Sequence, residues 1–194
     1  MTRTPVTGPA AAMSGRSSSP PGTGIESGAI SPAAEAQGIC LRLLTARPRS
    51  RAELADTLRQ RGIPEDVGEP VLDRLSELGL VSDAAFAEAA VYSGHSHRGL
   101  GRLALSAELR RRRVPDEIAH EAVAAVHPED EERRARDLVR RKLRGTTVRD
   151  TSTLARRLAA MLGRKGYPEG LAGRVVRDEL GVGGGSPETE PCLD

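Results

Sequence analysis

One sequence pattern occurs three times along the chain: Leu-x-x-x-Leu-x-x-[Arg/Lys]-x-[apolar]-Pro-[Glu/Asp]. The copies end at Pro64-Glu65, Pro115-Asp116 and Pro168-Glu169, so the prolines lie 51 and then 53 residues apart. A period of this size is typical of tandem arrays, in which one supersecondary unit packs repeatedly on its neighbours. Such arrays usually present a long surface to a macromolecule, so the repeat favours a binding protein over an enzyme.

Each repeat is predicted to hold three helices, because apolar residues recur at helical spacing and no sustained period-2 run predicts a strand. The predicted fold is therefore all-α, with three tandem three-helix repeats forming an elongated curved array. The predicted units span residues 34–80, 81–127 and 128–181. Residues 1–33 and 182–194 are rich in Pro, Gly and Ser and poor in large apolar side chains, so both are predicted to be disordered tails.

Residues with recognisable roles mark the helix ends of the first unit. Ser50 and Glu53 have the spacing of a capping box, which would start the second helix. Gly62 lies where a left-handed residue would end that helix, and Pro64 is predicted at the first position of the third helix, where its missing N–H costs nothing. The buried stripe of the third helix is predicted to comprise Val67, Val71, Leu72, Leu75 and Leu78.

The second unit is predicted to begin with a helix capped by Ser82-Asp83, with Phe86 and Val91 facing inward. Residues 93–101 are rich in glycine and histidine and are predicted to form a mobile loop. Pro128 is predicted to open the third unit, whose first helix carries acids at its start and bases at its end.

Cofactor and metal chemistry find little support in the sequence. The chain contains neither a GxxxxGK[ST] phosphate loop nor a GxGxxG motif, and His95-x-His97 has no third ligand at a suitable spacing. Cys40 and Cys192 are far apart, which makes a structural disulfide improbable. We therefore predict no cofactor, no bound metal and no enzymatic activity. We also predict no membrane span, a cytoplasmic location and a monomer, since no apolar stretch or heptad seam argues otherwise.

Arginine clusters are the main candidate binding residues. Residues 38–181 hold 27 Lys and Arg against 22 Asp and Glu, a mildly basic balance that is compatible with a nucleic-acid or nucleoprotein partner. Complementing a helix dipole accounts for one or two bases at a helix end, and a run of four Arg exceeds that need. The bases within residues 140–144 are balanced by acids on the same predicted helix, so a purely solvated face stays an equal alternative there. The candidate contact residues are Arg110, Arg111, Arg112, Arg113, Arg140, Arg141, Lys142, Arg144, Arg164 and Lys165.

Four short stretches in the right order resemble the RecX family of bacterial regulators of the RecA recombinase. They are residues 49–54 (RSRAEL), 61–63 (RGI), 80–87 (LVSDAAFA) and 162–167 (LGRKGY), and the resemblance covers residues 38–181. It implies a non-enzymatic protein of tandem three-helix repeats that lies in the groove of the RecA–DNA filament. Such a protein inhibits ATP hydrolysis and strand exchange, and so regulates recombination, DNA repair and the SOS response.

The chain departs from the family pattern at two places. Arg113 stands where the family usually has Gly, so that turn is expected to differ or the charge to be useful, and residues 92–98 are less basic than the family's segment. DNA contact, if any, is expected through phosphates and without sequence preference, because three aromatic residues provide little base stacking. A recombinase-independent DNA-binding protein and a protein–protein scaffold are the alternative functions.

Overall fold

The computed structural model describes residues 31–145 and 150–181, and this part of the chain contains nine helices and no strand. The helices are α1 Pro32–Ala46, α2 Arg51–Gln60, α3 Glu65–Glu77, α4 Asp83–Ser96, α5 Arg102–Arg111, α6 Asp116–Ala124, α7 Pro128–Leu143, α8 Thr151–Arg164 and α9 Glu169–Leu180. The helix α1 begins two residues inside the predicted N-terminal tail, because Ser31 caps it by accepting a hydrogen bond from the Ala34 amide. The rest of the two predicted tails lies outside the described residues.

Each group of three successive helices encloses its own hydrophobic cluster. Ile39, Leu54 and Leu72 belong to the first cluster, Leu105 and Leu109 to the second. The third cluster contains Leu158, Leu162 and Tyr167. Three separate cores in chain order confirm the prediction of an all-α repeat protein, while the unit boundaries near residues 80 and 127 stay predictions.

Helix ends follow the local sequence signals closely. The capping box is formed, with the Ser50 hydroxyl accepting from the Glu53 amide and the Glu53 carboxylate accepting from the Ser50 amide. Gly62 adopts a φ of 79°, so the left-handed ending of α2 is confirmed. Pro64, by contrast, is the N-cap of α3 rather than its first helical residue. The prediction was therefore wrong by one position, since the helix begins at Glu65.

Two further predictions, one for the end of α3 and one for the end of α4, need correction. Leu78 is 52% exposed rather than buried, because it is the C-cap of α3, and Val81 is the residue that joins the first cluster beyond that end. Residues 93–96 are helical rather than a loop, since α4 continues to Ser96. Gly94 permits this close packing, because a Cβ there would lie 2.5 Å from Leu105 Cδ2 on α5.

Candidate functional site

The N-terminus of α2 in the first unit is joined to the second unit by two hydrogen bonds. The buried Ser50 hydroxyl donates to the Arg112 carbonyl at 2.7 Å, and the Arg51 amide donates to Asp83 Oδ1 at 2.8 Å. An unpaired amide at a buried helix end would carry a desolvation cost, so these contacts satisfy the helix end while fixing the neighbouring unit.

The N-terminus of α5 is joined to the third unit in the same way. The Gly101 amide donates to the Lys165 carbonyl at 2.8 Å, and the Arg102 amide donates to Glu131 Oε1 at 2.8 Å. The Leu103 amide donates to the Gly166 carbonyl at 3.2 Å. We call the contact between the first and second units the first joint and the contact between the second and third units the second joint. Gly101 and Lys165 occupy the repeat positions of Ser50 and Arg112, so both joints use the turn after the second helix of the following unit.

The two joints differ in how closely the backbones approach. Gly166 has a φ of 82°, and a Cβ there would overlap the backbone nitrogen and the Cβ of Ala104. Arg113 occupies the equivalent position in the other joint with a left-handed φ of 53°, and its guanidinium pairs with Asp56 of the first unit. The turn therefore keeps the left-handed geometry of its glycine counterparts, and the charge of Arg113 has a partner across the joint.

Tyr167 secures the second joint from the core of the third unit. Its hydroxyl donates to the Gly99 carbonyl at 3.2 Å, and burial raises the pKa of Tyr167 to about 12. The Lys165 ammonium donates to the Arg98 carbonyl at 2.6 Å. Residues 98–99, predicted to be part of a mobile loop, are thus held by two side chains of the third unit.

The four-arginine run divides into a paired half and an exposed half. Arg112 lies 3.5 Å from Glu108 Oε1, and its guanidinium stacks 5.3 Å from the centre of the Phe86 ring. Arg113 is paired with Asp56. Arg110 and Arg111 are exposed, and their side chains have no ion pair or hydrogen bond within the described residues. Arg110 and Arg111 are therefore the two residues of the run whose guanidinium donors are not engaged by any described contact.

The basic residues at the C-terminal end of α7 also include both paired and unpaired side chains. Arg140 donates to Glu179 Oε2 of α9 at 2.8 Å, and this bond holds the pKa of Glu179 below its usual range. Arg136 donates to both Glu132 and Asp178, at 2.7 and 2.9 Å, so this part of the α7–α9 surface is an internal charge network. Exposed side chains follow at the helix end. They are Arg141 and Arg144, which have no side-chain partner among the described residues, and Lys142, which does have one.

Arg164 and Lys165 lie at the C-terminal end of α8 and have different roles. Arg164 is exposed without a side-chain partner in the part of the chain that the structure describes, whereas Lys165 serves the joint. The candidate contact residues that remain available are Arg110, Arg111, Arg141, Arg144 and Arg164. They occupy the C-terminal ends of α5, α7 and α8.

Two arginines outside any run were missed by the sequence analysis. Arg98 lies 2.8 Å from Glu108, a carboxylate that is only 7% exposed, and Arg47 lies 3.4 Å from Glu53. Arg98 stands apart from the other arginines of the second unit, and Arg47 alternates with Arg49 and Arg51 rather than forming an unbroken run. Their proximity arises only when the first and second units come together, so no local signal could have identified them.

Residues 31–145 and 150–181 contain neither a cluster of metal ligands nor a membrane-spanning helix. No group of three His, Cys, Asp or Glu in these ranges is arranged to hold a metal ion, and no helix in them is long and apolar enough to cross a membrane. Cys40 is a free buried thiol whose pKa is raised by desolvation, and Cys192 lies outside the described residues.

Fold and site together define a tandem three-helix repeat protein with interlocked joints and arginine-rich helix ends. Two family models match the chain: the first three-helix domain of RecX over residues 36–75 and the second over residues 82–123. The regulatory protein RecX of Thermobifida fusca is 54% identical over 147 residues, which are 76% of this chain and 80% of that protein. RecX of Mycolicibacterium smegmatis is 48% identical over 151 residues, 75% of this chain and 80% of that protein.

The crystal structure of RecX from Lactobacillus salivarius shares the fold, with a TM-score of 0.67 at 19% identity over 76% of this chain and 96% of that one. The chain belongs to the RecX family of regulatory proteins. This confirms the resemblance that the four short sequence stretches indicated.

Proposed function

We propose that this protein inhibits the RecA recombinase by binding in the groove of the RecA–DNA filament, where it suppresses ATP hydrolysis and strand exchange during recombination and repair. The proposal includes a cytoplasmic location and a monomeric state. The observation that carries it is the pair Arg110 and Arg111, which are exposed and unpartnered within the described residues although acids pair the two arginines that follow. Family membership supports the proposal, since a relative at 54% identity is a regulatory protein RecX.

The repeat architecture suits a partner with a repeating surface. Each unit has its own core, and the hydrogen-bonded joints set the spacing between units, so basic helix ends are presented at fixed intervals. Guanidinium groups bind carboxylate and phosphate oxygens through paired N–H donors, which makes arginine suited to a nucleoprotein surface.

Binding to filament and to bare DNA should be compared for the wild type and for the double variant Arg110→Ala/Arg111→Ala. We expect wild-type protein to bind recombinase-coated single-stranded DNA far more tightly than bare DNA, and the variant to lose about tenfold or more in filament affinity, equivalent to about 1.4 kcal/mol. The charge-matched control is Arg74→Ala/Arg177→Ala, because both residues are exposed and Arg74 pairs only with Glu77, at 2.9 Å. Equal affinity of the wild type for coated and bare DNA would instead indicate a recombinase-independent DNA-binding protein, and binding to neither would indicate a scaffold.

A further inference from the structure

A basic groove lies at the joint between the first and second units. It has a volume of about 320 Å³ and is lined by the α1–α2 connection on one side and by α4 and α5 on the other. The charged and polar residues that line it include Arg47, Arg98, Arg112, Glu108 and Ser93. Three arginines and one carboxylate line the groove, so the lining carries a net charge of +2.

The arginines of the groove are held in place while most of their donors stay unused. Glu108 holds Arg98 at 2.8 Å and Arg112 at 3.5 Å. Arg47 donates to the Pro48 carbonyl at 3.2 Å and to Glu53 at 3.4 Å. A guanidinium has five N–H donors, and the described contacts of Arg98 and Arg112 use one of them each. The side chains of Arg47 and Arg98 are also 47% and 48% exposed, so a ligand can reach them.

The chemistry of the groove fits an anion with several oxygen acceptors. Preorganised guanidinium groups with free donors recognise phosphate oxygens through charge-assisted hydrogen bonds. Base stacking finds no surface there, because the Phe86 ring is only 5% exposed and lies beneath the Arg112 guanidinium. A ligand in this groove would therefore be bound through its backbone phosphates, without sequence preference.

We propose that this inter-unit groove binds the phosphodiester backbone of a nucleic-acid strand. Arg47 and Arg98 are the contact residues, and Arg112, held by Glu108, adds positive charge beside them. The inference deepens the proposed function, on which it rests, by naming where the protein contacts the DNA of the filament. It also places the nucleic acid at the joint that Ser50 and Arg112 form, 2.7 Å apart. Strand binding there would hold the first two units in one relative orientation.

The salt dependence of binding to a labelled oligo-dT provides the test. The double variant Arg47→Gln/Arg98→Gln removes two phosphate contacts, so the slope of log affinity against log salt should fall in magnitude by about 1.4, and affinity at 0.1 M salt by about 25-fold. Ser93→Lys adds a charge to the groove wall and should steepen the slope by about 0.7. The charge-matched control is Arg74→Gln/Arg177→Gln, since both residues are exposed and neither lines the groove.

An unchanged slope in both groove variants, with thermal unfolding like that of the wild type, would overturn the proposal. Two other outcomes would also contradict it. A variant that loses filament affinity but keeps its slope on bare oligo-dT would show that the groove accepts carboxylates of the recombinase. Equal competition by inorganic phosphate and oligo-dT at constant ionic strength would show a free-phosphate site. Recombinase ATPase inhibition is measured separately, so a groove without DNA affinity leaves the proposed inhibition standing, and loss of inhibition leaves the groove result standing.

Discussion

Replacement of the two left-handed glycines Gly62 and Gly166 by alanine should have unequal effects, although the two occupy the same repeat position. Their φ values are 79° and 82°, so alanine meets the same backbone penalty at each, about 1–2 kcal/mol. A Cβ at Gly62 meets nothing within 4 Å, whereas a Cβ at Gly166 overlaps backbone atoms of Ala104. Backbone overlap adds an overpacking cost of about 1–3 kcal/mol, so Gly166→Ala should lose about 2–5 kcal/mol of unfolding free energy in total.

Thermal unfolding by circular dichroism measures the difference. We expect the midpoint of Gly62→Ala to fall by about 2–8 °C and that of Gly166→Ala by about 4–20 °C, at about 2–4 °C per kcal/mol for a chain of this size. Hydrogen exchange localises the effect. The Gly101 and Leu103 amides, which bond to the Lys165 and Gly166 carbonyls, should exchange faster in Gly166→Ala and unchanged in Gly62→Ala.

The variant Arg113→Gly tests the equivalent position in the second repeat, where arginine stands in place of Gly62 and Gly166. Glycine removes the cost of a left-handed arginine but also removes the ion pair with Asp56, and exposed pairs contribute about 0–1 kcal/mol. The two changes oppose each other, so stability should stay within about 1 kcal/mol of the wild type. Equal destabilisation by Gly62→Ala and Gly166→Ala would refute the reasoning, because it would mean that the third unit does not pack on Ala104 as described.

Two further results are expected. Leu109→Asp should unfold the second unit, because Leu109 is 1% exposed and an unpaired buried carboxylate is strongly unfavourable; the exposed Leu103→Asp, on the same helix, should lose far less helicity by circular dichroism. The pKa of Tyr167 is raised above its unfolded value of 10.0 to about 12, so its contribution to stability is present below pH 10 and is lost as the pH rises towards 12. Urea unfolding of Tyr167→Phe across this range should show a weaker alkaline loss than the wild type, and an identical loss would contradict the buried hydroxyl.

Local features of the fold were predictable because their causes are local. The capping box at Ser50 and Glu53 involves residues three positions apart, and Gly62 ends its helix through its own φ. The repeat pattern predicted the three-helix units for the same reason, since each unit buries its own apolar stripe. The extension of α4 to Ser96 was missed because three glycines and two histidines within residues 93–101 weaken a helical signal, while packing of Gly94 against Leu105 decides the outcome.

The joints were not predictable, because they depend on residues far apart in the chain. Ser50 meets the carbonyl of Arg112, 62 positions away, and a repeat pattern does not show which ends of two units meet. The division of the arginines into paired and available side chains has the same origin. Arg140 and Arg141 are neighbours in sequence, but a turn of 100° per residue directs them differently, so that only Arg140 reaches Glu179.

The proposed inhibition of the recombinase is tested most directly by the single-stranded-DNA-dependent ATPase activity of RecA from the same organism, titrated with this protein. Binding across several units along a filament predicts a steep loss of ATPase activity well below one protein per recombinase. The double variant Arg110→Ala/Arg111→Ala should need a higher concentration for the same loss, with Arg74→Ala/Arg177→Ala behaving like the wild type. Full ATPase activity in the presence of excess wild-type protein would contradict the account.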